Sequence, residues 1–469
     1  MTMSFSQSTE AAASQQDKKS NSLQAYRIGQ ATAGEVKHLV SSVSQLSMLD
    51  FWAGFGLIFI GIPTPLVTMP VGTVVVLLLV LYKLTKPATL ETRYNSLFFS
   101  IILFAVGWAL FESLAFNGIS VDESIRRAIR MAVVLLLALQ IAQKRIDIRS
   151  LIFGVAAGLV FNLIGFYAGV APDNYGGTLT GWLNDKNQSG LYYAIFGFLF
   201  VAMVRKTSHR IVAIAITSGM LWLTGSRTSL AAYAFAVLWL YFSHRLNLFG
   251  KAALAWLLYL GVNYLEDNFA RAGAFADRLG SDLLRERIDE TMYRMIDVVP
   301  WYGGGLGTAQ VPLQNRYFYF HNSYMTLVQE AGWLYMIVIV ALMISAAFIW
   351  KQPRAQRIVI AEAAMVIIII TSQRLGEVIL TVPWAIVVGL ALLYLNPDKD
   401  LDASDSGHHE PISDAMQKVQ GNAEKPAQQE GQLIEKEAPA AVAQQEIPKK
   451  SPTSKSFDVS SIRQRARKA

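Results

Sequence analysis

Four stretches carry side chains able to do chemistry. The first is Pro300–Gly332, PWYGGGLGTAQVPLQNRYFYFHNSYMTLVQEAG, centred on His321-Asn322-Ser323-Tyr324 just ahead of an apolar run that begins at Trp333. Imidazole titrates near neutrality and can accept or donate a proton. His321 is therefore a candidate base toward a polar substrate at a membrane edge, although a histidine that merely caps a helix accounts for it as well. The second stretch is Leu223-Thr224-Gly225-Ser226-Arg227-Thr228-Ser229, a polar break between two apolar runs. An ionisable residue beside a membrane span is costly and is functional by default. The Arg227 guanidinium, the Ser226 hydroxyl and the amides of the following helix all suit a phosphate; the alternative is an arginine that reaches to lipid headgroups. The third is the set Arg285, Arg287 and Arg294, interleaved with Glu286, Asp289 and Glu290. Surface pairing at helical spacing explains most of them, leaving at most one to close over a phosphate. The fourth runs from Gly181 to Gly190, where Asn187 suits sugar hydroxyls and Lys186 a phosphate, unless Asn187 and Ser189 only cap a helix.

The elements that must position these residues follow from composition. Of 469 residues, 53% are hydrophobic and 16% charged, with a mean hydropathy of +0.35. A soluble globular chain carries about a quarter of its residues charged. The expected fold is all-α, a polytopic integral membrane protein of about twelve transmembrane helices. Apolar runs lie at about 49–63, 66–83, 97–115, 128–143, 150–170, 190–204, 211–225, 229–243, 251–265, 333–350, 357–372 and 379–395. Cysteine is absent, which excludes disulfides, thiolate metal sites and cysteine nucleophiles. The net charge of +7 is concentrated in alternate short loops, as at Lys83, Lys86 and Arg93, and again at Lys144, Arg145 and Arg149. That pattern places both termini in the cytoplasm and argues against a nucleic-acid partner.

Three segments flank or interrupt the spans. Residues 1–48 and 396–469 are polar and without hydrophobic periodicity, and read as disordered cytoplasmic tails. The loop 266–332 faces outward, and its part from Asp282 to Val299 has helical period with Leu284, Ile288, Met292, Met295 and Val299 on one stripe. Pro300 stops that helix and the glycines at 303–305 and 307 make a sharp or flexible connection. No Gly-Lys-Ser/Thr follows, so a Walker-type phosphate loop is excluded. Glu112, Glu362 and Glu377 raise the possibility of a proton-coupled carrier; of these only Glu112 reads as deep in a span.

Taken together, the stretch Asn184–Gly190, the stretch Thr224–Ser229 and the outer helix followed by His321-Asn322-Ser323-Tyr324 resemble, in their order and spacing, the O-antigen ligase and O-antigen polymerase superfamily of bacterial surface-polysaccharide assembly. The resemblance covers about residues 150–395 of a transmembrane domain at 49–395. It implies a helical membrane glycosyltransferase of the lipid-donor (C) type in the bacterial inner membrane. Such an enzyme takes a glycan from an undecaprenyl-diphosphate carrier at the periplasmic face and moves it to an acceptor, using neither metal nor other cofactor. By this likeness Arg227 and Arg285, with Arg287 close behind, would bind the diphosphate and His321 would orient or deprotonate the acceptor hydroxyl. Lys186, Asn187, Asn322, Tyr324 and Ser226 would contact diphosphate or glycan. The implied partners are the lipid-linked donor, a glycan or lipid acceptor, membrane lipids, and a chain-length regulator or other assembly protein. Thr178-Leu179-Thr180 stand where many relatives carry a basic residue, which departs from the family pattern. The leading expectation is a polymerase that joins repeat units; the alternative is a ligase passing the glycan to lipid A–core, and more distantly a lipid-linked-oligosaccharide flippase.

Overall fold

The structure is a computed structural model and describes residues 46–64, 69–90, 93–116, 121–204, 206–269, 279–313, 316–348 and 356–395. The tail at 396–469 and nearly all of that at 1–48 lie outside the described residues. Thirteen α-helices occur among the described residues. The first nine are α1 (Met48–Gly56), α2 (Val71–Leu84), α3 (Arg93–Ala115), α4 (Val121–Ala142), α5 (Ile148–Tyr167), α6 (Lys186–Met203), α7 (Thr207–Leu223), α8 (Arg227–Phe242) and α9 (Leu248–Phe269). Then come α10 (Leu279–Val298), strands β1 (Gln310–Leu313) and β2 (Arg316–Tyr319), and finally α11 (Ser323–Ala347), α12 (Gln356–Ser372) and α13 (Val382–Tyr394).

Each apolar run of the sequence falls on one of these helices, and α10 is the amphipathic exception. Among the described residues, three helical segments are long and apolar enough to cross a membrane: Asn95–Ala115, Ile148–Tyr167 and Ser323–Ala347. A perpendicular crossing needs about 20 apolar residues. Three of the other apolar helices, α1, α2 and α13, are shorter than their runs, because caps, turns and prolines take up the ends. The run at 49–63, for instance, becomes α1 and a separate 3-10 turn at Phe59–Gly61, ahead of a bridge between Pro63 and Pro70.

The helices pack in a bundle whose most buried member is α13, with every residue from Pro383 to Leu393 inside. It lies against α4 and α12, and α12 in turn lies against α8. Helices α1 and α5 approach closely through Gly54 and Gly154, where a Cβ on either would collide with a backbone carbonyl of the other helix, the device by which small residues admit close helix crossings in membranes. Local sequence sets the helix starts. Ser47, Asp147, Asp185 and Asn322 each accept backbone N–H groups at the first turn of α1, α5, α6 and α11, satisfying amides that the helix leaves without partners. At one end of the bundle, Lys83 pairs with the buried Asp50 at 2.8 Å, and the Asp147 amide donates to the same carboxylate at 3.0 Å. This joins the end of α2 to the starts of α1 and α5.

The all-α expectation misses one element. β1 and β2 form a two-stranded antiparallel hairpin pairing Gln310 with Tyr319 and Leu313 with Arg316, inside a stretch whose glycines read as loop. It covers the apolar face of α10. Ile288, Met292 and Ile296 bury against Val311 of β1, Phe320, and Val328 of α11, making a small second core. The stripe expected on α10 is present, but its deep positions step by four, and Leu284 at its start remains exposed.

Candidate functional site

His321 is held by two backbone devices. It immediately precedes Asn322, whose side-chain oxygen accepts from the amides of Tyr324 and Met325 at 3.0 and 3.2 Å and so starts α11. The preceding residue, Phe320, lies so close to Gly376 that a Cβ there would collide with its carbonyl oxygen. Helix α11 therefore begins ten residues ahead of the apolar run at Trp333, and carries a kink at Ala331 and Gly332. Only glycine suits the kink: Gly332 has φ +85, and a Cβ would strike the Trp301 carbonyl. The glycine turn docks onto this kink, with the amides of Gly304 and Gly305 donating to the carbonyls of Gln329 and Glu330 at 2.6 and 3.1 Å. Its glycines thus serve a helix–turn contact; the connection is sharp and packed.

His321 is partly buried and lines a cavity of about 810 Å³. Burial lowers its pKa to about 4; the positive charges of Arg285 and Lys186 act in the same direction, and Asp185 opposes them. The ring is accordingly neutral at pH 7, the form in which an imidazole accepts a proton. Charges from two other stretches singled out in the sequence thus act on His321, that of Arg285 from α10 and that of Lys186 from α6, although neither side chain lines the cavity.

The N-terminus of α6 is ordered by Asp185, which accepts from the amides of Asn187 and Gln188 at 2.8 and 3.1 Å. The cap is Asp185, and neither Asn187 nor Ser189 has that part. Asn187 lines the cavity, whereas the buried Ser189 hydroxyl donates to the Thr180 carbonyl at 3.3 Å. Tyr175 donates to the second Asp185 oxygen at 2.7 Å, and the Lys186 ammonium sits over the Tyr175 ring, 5.7 Å from its centroid. Burial, then the Asp185 carboxylate, push the Tyr175 hydroxyl up from its ordinary range.

Arg227 is the first residue of α8 and is partly buried. The start of α8 lies directly on α6, because Gly190 leaves no room for a Cβ against Ser226. Arg227 is thus brought to the same end of the bundle as Lys186, though it is not among the cavity-lining residues. Of the helix arginines, Arg285 is the one whose charge acts on His321. Arg287 is exposed, and Arg294 pairs with Glu290 at 2.6 Å on the outer surface.

Three expected contacts have structural employment instead. Asn322 caps α11, and the Tyr324 hydroxyl donates to the Ile369 carbonyl at 3.0 Å. Ser226, buried, donates to Ser229 at 2.8 Å. None of the three lines the cavity. The reason is common to them: a polar side chain in the first turn of a buried helix finds a backbone or neighbouring hydroxyl before it reaches a ligand.

Other residues were not foreseen. Arg127 in α4 pairs through Nε with Glu330 at 2.6 Å and through Nη1 with Glu377 at 3.1 Å. Glu330 also accepts from the Gly307 amide at 3.0 Å. One ionic knot thereby joins α4, the α11 kink, the glycine turn and the loop before α13. Arg130, one turn further along α4, is exposed and lines the cavity. The legible signal was three arginines, Arg126, Arg127 and Arg130, at the start of a run expected to be a span entered from the outside, where basic residues should be scarce. In comparisons with known protein families, curated proteins and solved structures, the chain has no match.

Proposed function

We propose that this chain is a membrane glycosyltransferase that moves a glycan from undecaprenyl diphosphate to an acceptor hydroxyl at the periplasmic face, joining repeat units of a surface polysaccharide. The observation that carries this reading is a neutral His321 on the wall of an 810 Å³ cavity, with the charges of Arg285 and Lys186 close by. A base held neutral can take the proton of an attacking hydroxyl. Cations fixed beside it favour the charge that builds on the diphosphate as the sugar–phosphate bond breaks. Arg227, at the start of the helix that packs on α6, fits the same anion. No metal is required by this chemistry, because the leaving diphosphate is stabilised by guanidinium and ammonium groups.

In the membrane, the twelve apolar helices are assigned as spans, with α10 and the hairpin forming the outer cap. The support is their coincidence with the twelve apolar runs and the basic residues in alternate loops. A carrier would need mobile buried carboxylates. Of the three glutamates, Glu362 pairs with Lys251 at 2.5 Å and accepts from Trp239 at 3.1 Å, Glu377 is tied to Arg127, and Glu112 is buried in α3 and does not line the cavity.

The test is a deletion strain complemented with the wild type or with His321→Ala, with lipid-linked and surface polysaccharide sized together. Accumulation of single repeat units on the carrier is expected for His321→Ala. Long chains stranded on undecaprenyl diphosphate would identify a ligase instead. Normal surface glycan from equally expressed His321→Ala protein would remove His321 from the chemistry.

A further inference from the structure

The start of α4 presents Arg126, Arg127 and Arg130, and two of the three are neutralised. Arg126 pairs with Asp122 at 2.6 Å, and Arg127 with Glu330 and Glu377. Arg130 is exposed, lines the cavity, and has no carboxylate partner among the described residues. The carboxylates on the cavity wall are already engaged. Both Asp185 oxygens accept protein donors, and Glu377 holds Arg127. The unneutralised charge on this wall is therefore a guanidinium. Opposite kinds of contact accompany it. Tyr317 and Tyr319 fall on one face of β2, are 73% and 58% exposed, and both line the cavity, as does Tyr175. Such rings offer a flat apolar body with a hydroxyl at the tip, the pairing of surfaces that a sugar ring presents.

We propose that the cavity holds a sugar bearing a carboxylate, of the uronic acid type, and that Arg130 is the guanidinium that pairs with it. This rests on the glycan-transfer reading above and names the substrate class for that site. The carrier's diphosphate is the other anion in the reaction. The charges that act on His321 are those of Arg285, Lys186 and Asp185, whereas Arg130 belongs to another helix, α4, beside the knotted Arg127. A planar carboxylate suits the guanidinium fork, which donates two parallel hydrogen bonds to it.

The experiment is calorimetric binding to the full chain in lipid nanodiscs, using three probes: a disaccharide ending in glucuronic acid, its uncharged methyl ester, and inorganic pyrophosphate. Wild type should bind the acid about tenfold more tightly than the ester. Arg130→Gln should erase that difference and leave pyrophosphate binding within about twofold, while Arg130→Lys keeps part of the preference. Equal binding of acid and ester by the wild type, or absence of binding by the acid, overturns the proposal. So does an Arg130→Gln protein that loses pyrophosphate and keeps the acid preference. Binding needs no turnover, so a failure of His321→Ala to affect polysaccharide in cells leaves this result readable by itself.

Discussion

At the scale of single residues, the chemistry turns on the protonation state of His321. Its pKa lies at about 4, against 6.5 for a free imidazole, with burial the largest cause and the Arg285 charge next. A depressed value means that protonation is favoured in the unfolded chain and disfavoured in the folded one. The stability contributed by the neutral ring is thus present in full above pH 6.5 and is lost as pH falls through about 4. Activity that needs the neutral ring should hold from pH 7 down to about pH 5 and fall away near pH 4. Histidine NMR on the whole protein, assigned with His321→Gln, is expected to give a midpoint well below 6.5. In Arg285→Gln the midpoint should rise, since one repelling charge is gone. A wild-type midpoint at the free-imidazole value would show that the ring is solvated and that the cavity does not hold it as described.

Among the elements, the site depends on a knot rather than on any one helix. Arg127 is 14% exposed and Glu330 1%, and their pair ties α4 to the kinked α11. Removing one partner of a buried pair strands the other charge, at a cost of about 3–5 kcal/mol. Arg127→Met should lower stability by that order in thermal unfolding of the purified protein. The double variant Arg127→Met/Glu330→Gln should recover much of the loss, because the deeply buried partner is then neutral and Glu377, 38% exposed, is reached by water. A single variant as stable as wild type would mean that Glu330 is solvated or protonated in the native state. The kink itself belongs to this scale. Gly332 at φ +85 and the packed glycine turn fix the direction in which α11 leaves the unit of α10 and the hairpin, and with it the placing of His321 eleven residues earlier.

For the whole molecule, the arrangement predicts a membrane topology that the absence of cysteine makes easy to test. With no native thiol, single cysteines can be placed at will. Tyr319→Cys should react with an impermeant maleimide added to the outside of intact spheroplasts. Thr85→Cys, in the loop after α2, should react only after permeabilisation. The reverse pattern would invert the protein and put His321 in the cytoplasm, where a periplasmic glycan donor is out of reach. On the proposed topology the basic loops and the buried Asp50–Lys83 pair belong to the inner end.

Much of this could be read from residue order alone. Twelve apolar runs became helices, and the α10 helix and its stop before Pro300 were visible as period and breaker, because helix formation depends on neighbours a few positions away. His321, Lys186 and Arg285 could be picked out by residue type. What residue order could not decide was their company. Asn322, Tyr324 and Ser226 looked like ligand contacts, yet they satisfy backbone and hydroxyl groups, since only packing reveals which polar atoms are already engaged. The hairpin was hidden by flanking glycines, and its strands gain stability only by covering α10. Arg127 and Arg130 looked alike in sequence, one turn apart on the same helix. The tertiary fold brought two carboxylates, from segments 203 and 250 residues away (330 − 127 and 377 − 127), to the first of them and left the second facing the cavity. Local periodicity thus determined the elements, and only long-range contacts, which no spacing rule encodes, decided which charges are spent on the fold and which remain for a ligand.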